Sequence, residues 1–486
     1  MGTEVLTLDP HDVTDNPSAM AVLHLYEGLT RLTPAMEVVP GLAESWSSSP
    51  DGLTWRFRLR RGISFHDGTP LDAAAVKASL ERLVSPSEAL ARRSLLAPLL
   101  AEVRTEGDRE VVLRLSRPSA ALPRLLAHTA GSIVSPRALA AWGKGIARHP
   151  SGTGPFRFLE WVPGDRLVLE RNPHYWDRDR GPFIDLLVFR PVPEAASRAM
   201  LLETGQVEAA YPVSPVDFLR LAGKPRLRMV AEPSQRVVYV GINTRRPPLD
   251  DLRVRKALNY AVDREGIVEK LLMGLGSPAD SPLAPSPWGH ASTVRDRYDP
   301  GLAAALLAQA GVPRGTPLEL WAPSGRYLMD RHVAEAVHGF LAAVGFRPAL
   351  KVWEWGAYLD AFDRSRPQWG LFLLGWVPST GEAEMGLLPL FGTGSRSNLA
   401  LYSNPRVDSL LDEAASSLDP RRSLELYAEV QRLVAADAPW IFLYVMDQVL
   451  GLRSSLQGVE VYPTELVSFT SARLVEGDLA PRGEGP

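Results

Sequence analysis

Val237-Val238-Tyr239-Val240-Gly241-Ile242-Asn243 opens the stretch that decides the fold, and Asp250-Asp251-Leu252-Arg253-Val254-Arg255-Lys256-Ala257-Leu258-Asn259-Tyr260-Ala261-Val262 completes it. The first part is a short run of β-branched and aromatic residues ending at a glycine, the pattern of a buried strand. In the second part Asp250 or Asp251 supplies a helix N-cap, and Val254, Leu258 and Val262 recur every fourth residue on one face. A strand that turns directly into an amphipathic helix is the unit of an α/β protein.

The alternation continues on both sides. Trp55, Phe57 and Leu59 alternate with Arg56, Arg58 and Arg60 as a half-buried strand, Asp67-Gly68-Thr69-Pro70 makes a turn, and Asp72 caps a helix carrying Val76, Leu80 and Leu83. Further strands are expected at Glu110–Leu115, 166–170, Leu186–Phe189, 318–321, 371–375 and 440–445, and helices at 302–309, through Val333, Val337 and Leu341, and from Val407. The Pro/Gly-rich end, 480–486, reads as a frayed tail.

Composition narrows the function. The 486 residues are 45% hydrophobic and 22% charged, an ordinary globular balance. A net charge of −3 lacks the basic excess of a nucleic-acid binder. The six Lys and 47 Arg reflect a compositional habit, although Arg also offers bidentate carboxylate recognition where it lines a pocket. With no Cys, disulfides, thiolate metal sites and Cys nucleophiles are excluded. No apolar run reaches the ~18 residues of a membrane span. No leader is legible, so the chain reads as either cytoplasmic or mature with its leader removed, and composition does not choose between them.

Enzyme signatures are missing. There is no G-x-S-x-G elbow and no phosphate loop. Gly392-Thr393-Gly394 lacks a third glycine, and Gly152-Thr153-Gly154 leads into a strand rather than a helix N-terminus. His332 and His338, six apart around Glu335, point to different sides of a helix and do not form a zinc pair. His66-Asp67 sits in a turn, and Glu382 and Glu384 read as a solvated loop pair. No metal and no cofactor is expected.

Several stretches together resemble the extracytoplasmic solute-binding proteins of peptide-type ABC importers (family 5: the dipeptide, oligopeptide, nickel and glutathione group). They are Gly41-Leu42-Ala43-Glu44-Ser45-Trp46, 51–62 and Phe65-His66-Asp67-Gly68-Thr69-Pro70, then Gly152-Thr153-Gly154-Pro155-Phe156, Glu170-Arg171-Asn172-Pro173-His174-Tyr175-Trp176, Thr204-Gly205-Gln206-Val207-Glu208, and the opening stretch with Asn243. The likeness runs from about residue 5 to 470. It implies an α/β, two-lobed periplasmic-binding-protein-like fold (type II, the large cluster with an extra subdomain) with the ligand cleft between the lobes. Lobe 1 is expected over 1–236, with 455–486 returning to it and 45–165 as the extra subdomain. Lobe 2 is expected over 237–454. The resemblance also implies capture by hinge closure, delivery to a membrane permease, a monomer, no nucleic-acid partner, and a periplasmic or lipoprotein-anchored location.

Dipeptide and oligopeptide binders of that family usually carry an Asp three residues after a Gly-Trp pair, where it holds the peptide ammonium. Here the pair is Gly375-Trp376 and the third residue on is Ser379, which cannot supply a charge-assisted bond. The run 375–384 is instead similar to glutathione-binding members, as are Met200-Leu201-Leu202-Glu203-Thr204-Gly205, Leu8-Asp9-Pro10, Asp15-Asn16-Pro17-Ser18 and Leu126-Ala127-His128. Glutathione, with two carboxylates and one ammonium, is the expected ligand. A general di- or oligopeptide, a nickel chelate or a hydrolytic role are the alternatives. Candidate carboxylate donors are Arg92, Arg326 and Arg396. Candidates for the ammonium end are Asp15, Asn16, Ser379, Thr380 and Glu382. His128, Thr129, Thr153, Asn243 and Trp376 complete the expected site.

Overall fold

A computed structural model describes residues 1–475, and the tail expectation at 480–486 lies outside them. The deciding stretch folds as read. Val237 to Ile242 lie in the strand Leu227–Ile242, whose neighbours in the sheet are Leu371–Trp376 and Trp440–Arg453. Asp251, rather than Asp250, caps the next helix, Leu252–Ala261, by accepting from the Arg253 amide at 2.7 Å. Val262 follows the helix in an extended conformation and still buries its side chain.

This strand belongs to a sheet covered on both faces. Successive side chains point to opposite sides of a strand. Accordingly Val238, Val240 and Ile242 join one core with Leu371, Leu373, Ile441 and Leu443, while Val237 and Tyr239 join another with Phe372, Trp440 and Phe442. The first core includes residues of the helices Leu252–Ala261 and Asp330–Ala343. The second includes residues of Ala383–Phe391, Pro405–Ser416 and Pro420–Asp437. Pro317–Ser324 pairs in parallel with Arg347–Glu354 and with Leu371–Trp376, whereas Leu227–Ile242 pairs antiparallel with Leu371–Trp376. Doubly covered strands read as unbroken apolar runs, which is why they were visible in the sequence.

The chain divides into two units: Met1–Val230 with the chain from Val449 onward, and Ala231–Gln448. The division falls six residues before each of the expected boundaries, 236/237 and 454/455. Both crossings occur inside regular strands, Leu227–Ile242 and Trp440–Arg453, where no linker composition marks them.

The first unit holds a four-stranded antiparallel sheet, in the order Ala43–Ser48, Thr54–Leu59, Glu110–Leu115, Leu100–Glu106. Phe57, Leu59 and Leu113 pack from it against Val76, Leu80 and Leu83 of the helix Ala73–Val84. Asp72 caps that helix on the Ala75 amide at 2.8 Å. This sheet ends at residue 115. Phe156–Val162, placed by the sequence reading in the same subdomain, pairs instead with Arg166–Arg171 in a separate three-stranded sheet edged by Leu186–Phe189.

Phe57 is fully buried at the centre of its core. Phe57→Ala is expected to lower unfolding stability by about 3–5 kcal/mol through lost burial and a residual cavity. Asp72→Ala is expected to lower it by only about 1 kcal/mol through the lost cap. Equal losses in denaturant titration would contradict this assignment of the core.

Candidate functional site

In the first unit, five candidates lie near one helix start. Asp15 is the N-cap of Asn16–Leu25 and accepts from the Ser18 amide at 2.9 Å. Asn16 donates to Glu465 at 3.0 Å. The Arg92 guanidinium donates to the Val13 carbonyl; burial lowers its pKa while the Asp15 carboxylate opposes that. His128 leads the short 3-10 turn Thr129–Gly131, which packs on the same helix, and its Nδ1 accepts from the Ala130 amide at 3.0 Å. Burial, and after it the Arg92 charge, pull the His128 pKa down to about 3. This corner therefore presents a cation, a carboxylate and a neutral imidazole. Thr129 is half-buried beside them.

Thr153 has a different role. Its hydroxyl donates to Glu27 Oε2 at 2.9 Å; Trp176 Nε1 donates to the same oxygen and the Tyr175 hydroxyl to Oε1, each at 2.9 Å. Burial raises the Glu27 pKa against these three bonds. A Cβ on Gly152 would sit 2.2 Å from the Leu25 carbonyl oxygen, and one on Gly154 2.5 Å from that of His24. The glycines of Gly152-Thr153-Gly154 thus let two backbones touch. His66 joins the same junction: its Nε2 lies 3.0 Å from the Gly154 carbonyl and its Nδ1 accepts from the Gly152 amide at 3.3 Å.

In the second unit, Tyr327 gathers a cluster. Its hydroxyl accepts from the Gly375 amide at 2.9 Å. The Arg236 guanidinium lies 5.4 Å from its ring centroid, and that of Arg326 lies 5.5 Å from it and 5.0 Å from the Trp355 ring. Arg326 is therefore held beside two aromatic faces, next to Gly375-Trp376, as a cation that can meet a carboxylate. Its neighbour Asp330 accepts from the Arg326 and Tyr327 amides at 2.8 and 3.1 Å.

Trp376 pairs with Val237 in the sheet, and its Nε1 donates to the Met385 carbonyl at 2.9 Å. The loop that follows is tied down at Gly381, which adopts a positive φ of 76° and whose carbonyl accepts from the Trp288 amide at 3.0 Å. Ser379 is half-buried in this loop. Thr380 is fully buried, yet its hydroxyl has no hydrogen-bond partner among the described residues. Glu382 precedes the helix Ala383–Phe391 without using its side chain as a cap.

Two candidates stand apart. The Asn243 amide is engaged by the Trp369 carbonyl at 3.0 Å and the Arg245 amide at 3.1 Å, which makes it a turn residue. Arg396 is exposed on the loop after Ala383–Phe391. Sequence reasoning passed over Arg236, Tyr327, Tyr444 and Gln235. Gln235 is fully buried and both of its amide atoms lack partners among the described residues. The available signal was a Gln-Arg pair abutting an apolar strand, but it was read as a boundary.

The family model for "Bacterial extracellular solute-binding proteins, family 5 Middle" matches residues 37–398. The chain belongs to this family. Curated relatives include the glutathione-binding protein GsiB of Pectobacterium atrosepticum, 35% identical over 98% of this chain and 93% of that protein. That of Salmonella typhimurium is 34% identical over the same shares. Among solved structures, the periplasmic binding protein DppA of Helicobacter pylori in complex with the peptide STSA superposes with a TM-score of 0.85, at 25% identity over 97% of this chain and 96% of that one. A dipeptide-binding protein of Pseudoalteromonas sp. SM9913, in complex with Met-Leu, superposes at 0.87 with 22% identity, over 98% and 99%. The chain is thus a family 5 solute-binding protein with the periplasmic-binding-protein fold, the substrate-binding component of an importer and not an enzyme.

Four histidines, three buried and His66 half-buried, contribute to this family 5 protein's pH response. His11, His24 and His66 have pKa values lowered to about 4 and His128 to about 3, each chiefly by burial. Each uses a ring nitrogen as acceptor, from Arg82, the Phe469 amide, the Gly152 amide and the Ala130 amide respectively. Between about pH 4 and the unfolded value of ~6.5 the unfolded chain binds more protons, so stability rises with pH there. It is complete above ~6.5 and is lost on acidification toward 4. Denaturant midpoints are expected to fall clearly from pH 7 to pH 4.5; identical midpoints would contradict the neutral, accepting imidazoles.

Proposed function

We propose that this protein captures glutathione or a closely related γ-glutamyl peptide by hinge closure and delivers it to an ABC permease, acting outside the cytoplasm as a monomer. The observation that carries this reading is Ser379. A neutral residue stands where peptide binders of the family usually place an ammonium-holding Asp, in a loop tied down at Gly381. Similarity to glutathione-binding relatives over 98% of the chain supports it. Arg326 is the carboxylate donor held by Tyr327 and Trp355. Arg92 is a second donor in the corner with His128, and Asp15 and Glu382 are the acids that answer the ammonium. Uptake of a general α-peptide is the second reading, favoured by the structural likeness to a protein holding the peptide STSA.

Isothermal titration with glutathione and with an alanyl dipeptide separates the two readings. Glutathione is expected to bind saturably without any hydrolysis product, and more tightly than the dipeptide. Ser379→Asp is expected to weaken glutathione about tenfold, a loss of ~1.4 kcal/mol. An unchanged affinity would remove Ser379 from the argument, and preference for the dipeptide would favour the second reading.

A further inference from the structure

The first unit contains a cavity of about 840 Å³ to which solute capture assigns no role. It is built from that unit alone. One wall is Leu186–Phe189, the strand that edges the three-stranded sheet. Alternation sends Leu187 and Phe189 into the core and turns Leu186 and Val188 outward, 52% and 46% exposed. Leu201, Leu450, Leu456 and Phe469 also line the space. Exposed apolar side chains gathered in one recess mark a binding surface more often than chance exposure does. The volume falls within the roughly 300–1,000 Å³ of small-ligand sites.

The charges in the lining have one sign in excess. Arg198 is engaged, donating to the carbonyls of Pro212, Val192 and Pro193 at 3.0, 2.6 and 2.8 Å. Arg190 and Arg473 also line the cavity, and neither guanidinium has a hydrogen bond or ion pair with any described residue. Of the two acids in the lining, Asp185 is paired with Arg171, which leaves Glu208 against two cations that have no ion pair among the described residues.

We propose that this cavity binds a free long-chain carboxylate, its aliphatic chain against Leu186, Val188 and Leu201 and its head group countered by Arg190 and Arg473. A recess of finite volume fits one molecule rather than the face of a bilayer. The cations select an acid over a neutral chain of equal length.

The test is calorimetric titration of the delipidated full chain with palmitate, below the concentration at which palmitate aggregates. Hexadecanol and phosphatidylglycerol vesicles form the other arms. The expected result is saturable one-to-one palmitate binding, at least tenfold tighter than hexadecanol. Val188→Glu, at an exposed position, is expected to weaken palmitate at least tenfold with the melting point unchanged, and Leu201→Trp to do the same by filling the space. Arg190→Glu with Arg473→Glu is expected to bring palmitate to the level of hexadecanol while leaving peptide-type ligand binding as it was. No saturable palmitate binding, equal binding by the Val188→Glu and Leu201→Trp variants, or binding to vesicles alone would overturn the proposal.

Discussion

The packing of one sheet against two cores is the constraint on which the second unit depends. From Val237 to Val240, Leu371 to Leu373 and Trp440 to Leu443, neighbouring residues belong alternately to one core or the other. A slip of one residue in any of these strands would exchange its two sets of side chains. Tyr239 and Trp440 show how tightly the register is held: their rings stack with centroids 3.5 Å apart and planes 4° from parallel. The helix Leu252–Ala261 reinforces this, because Asn259 donates to the Trp440 carbonyl at 2.9 Å and Arg255 to that of Asp437 at 2.9 Å. The position of Gly375-Trp376, and with it Tyr327 and Arg326, follows from that register.

The first unit depends on a polar junction instead. Glu27, half-buried with three donors, brings together Thr153, Tyr175 and Trp176, and His66 closes the same junction through Gly152 and Gly154. Residues far apart in the chain are thus joined at one point. Leaving this carboxylate or its donors unpartnered away from water is expensive, so this junction tolerates little change. The sequence motifs that carry the family resemblance are in this respect scaffold: they hold backbones in contact.

What was legible in the sequence follows the same physics. The apolar strands, the caps at Asp72 and Asp251, and the α/β class were readable because burial on both faces and first-turn capping leave local patterns. The unit boundaries were displaced because the crossings lie inside strands. The pairing of Phe156–Val162 with Arg166–Arg171 was not legible, because pairing partners are not encoded locally. For the proposed site, Arg326 and Ser379 were named through resemblance. Arg236 and Tyr327 were missed because their roles arise only when strand and loop meet in space. Thr153 and Asn243 were named as ligand candidates on residue type, whereas the structure engages both side chains in internal bonds.

The proposed function requires that this solute-binding scaffold select a γ-glutamyl thiol peptide over α-linked peptides. Mass spectrometry of whatever is released on denaturing the protein, purified after exposure to an equimolar mixture of glutathione and α-tripeptides, tests it most directly. A single released species with the mass of glutathione or its disulfide is the expected result. A ladder of α-tripeptides without glutathione would contradict it.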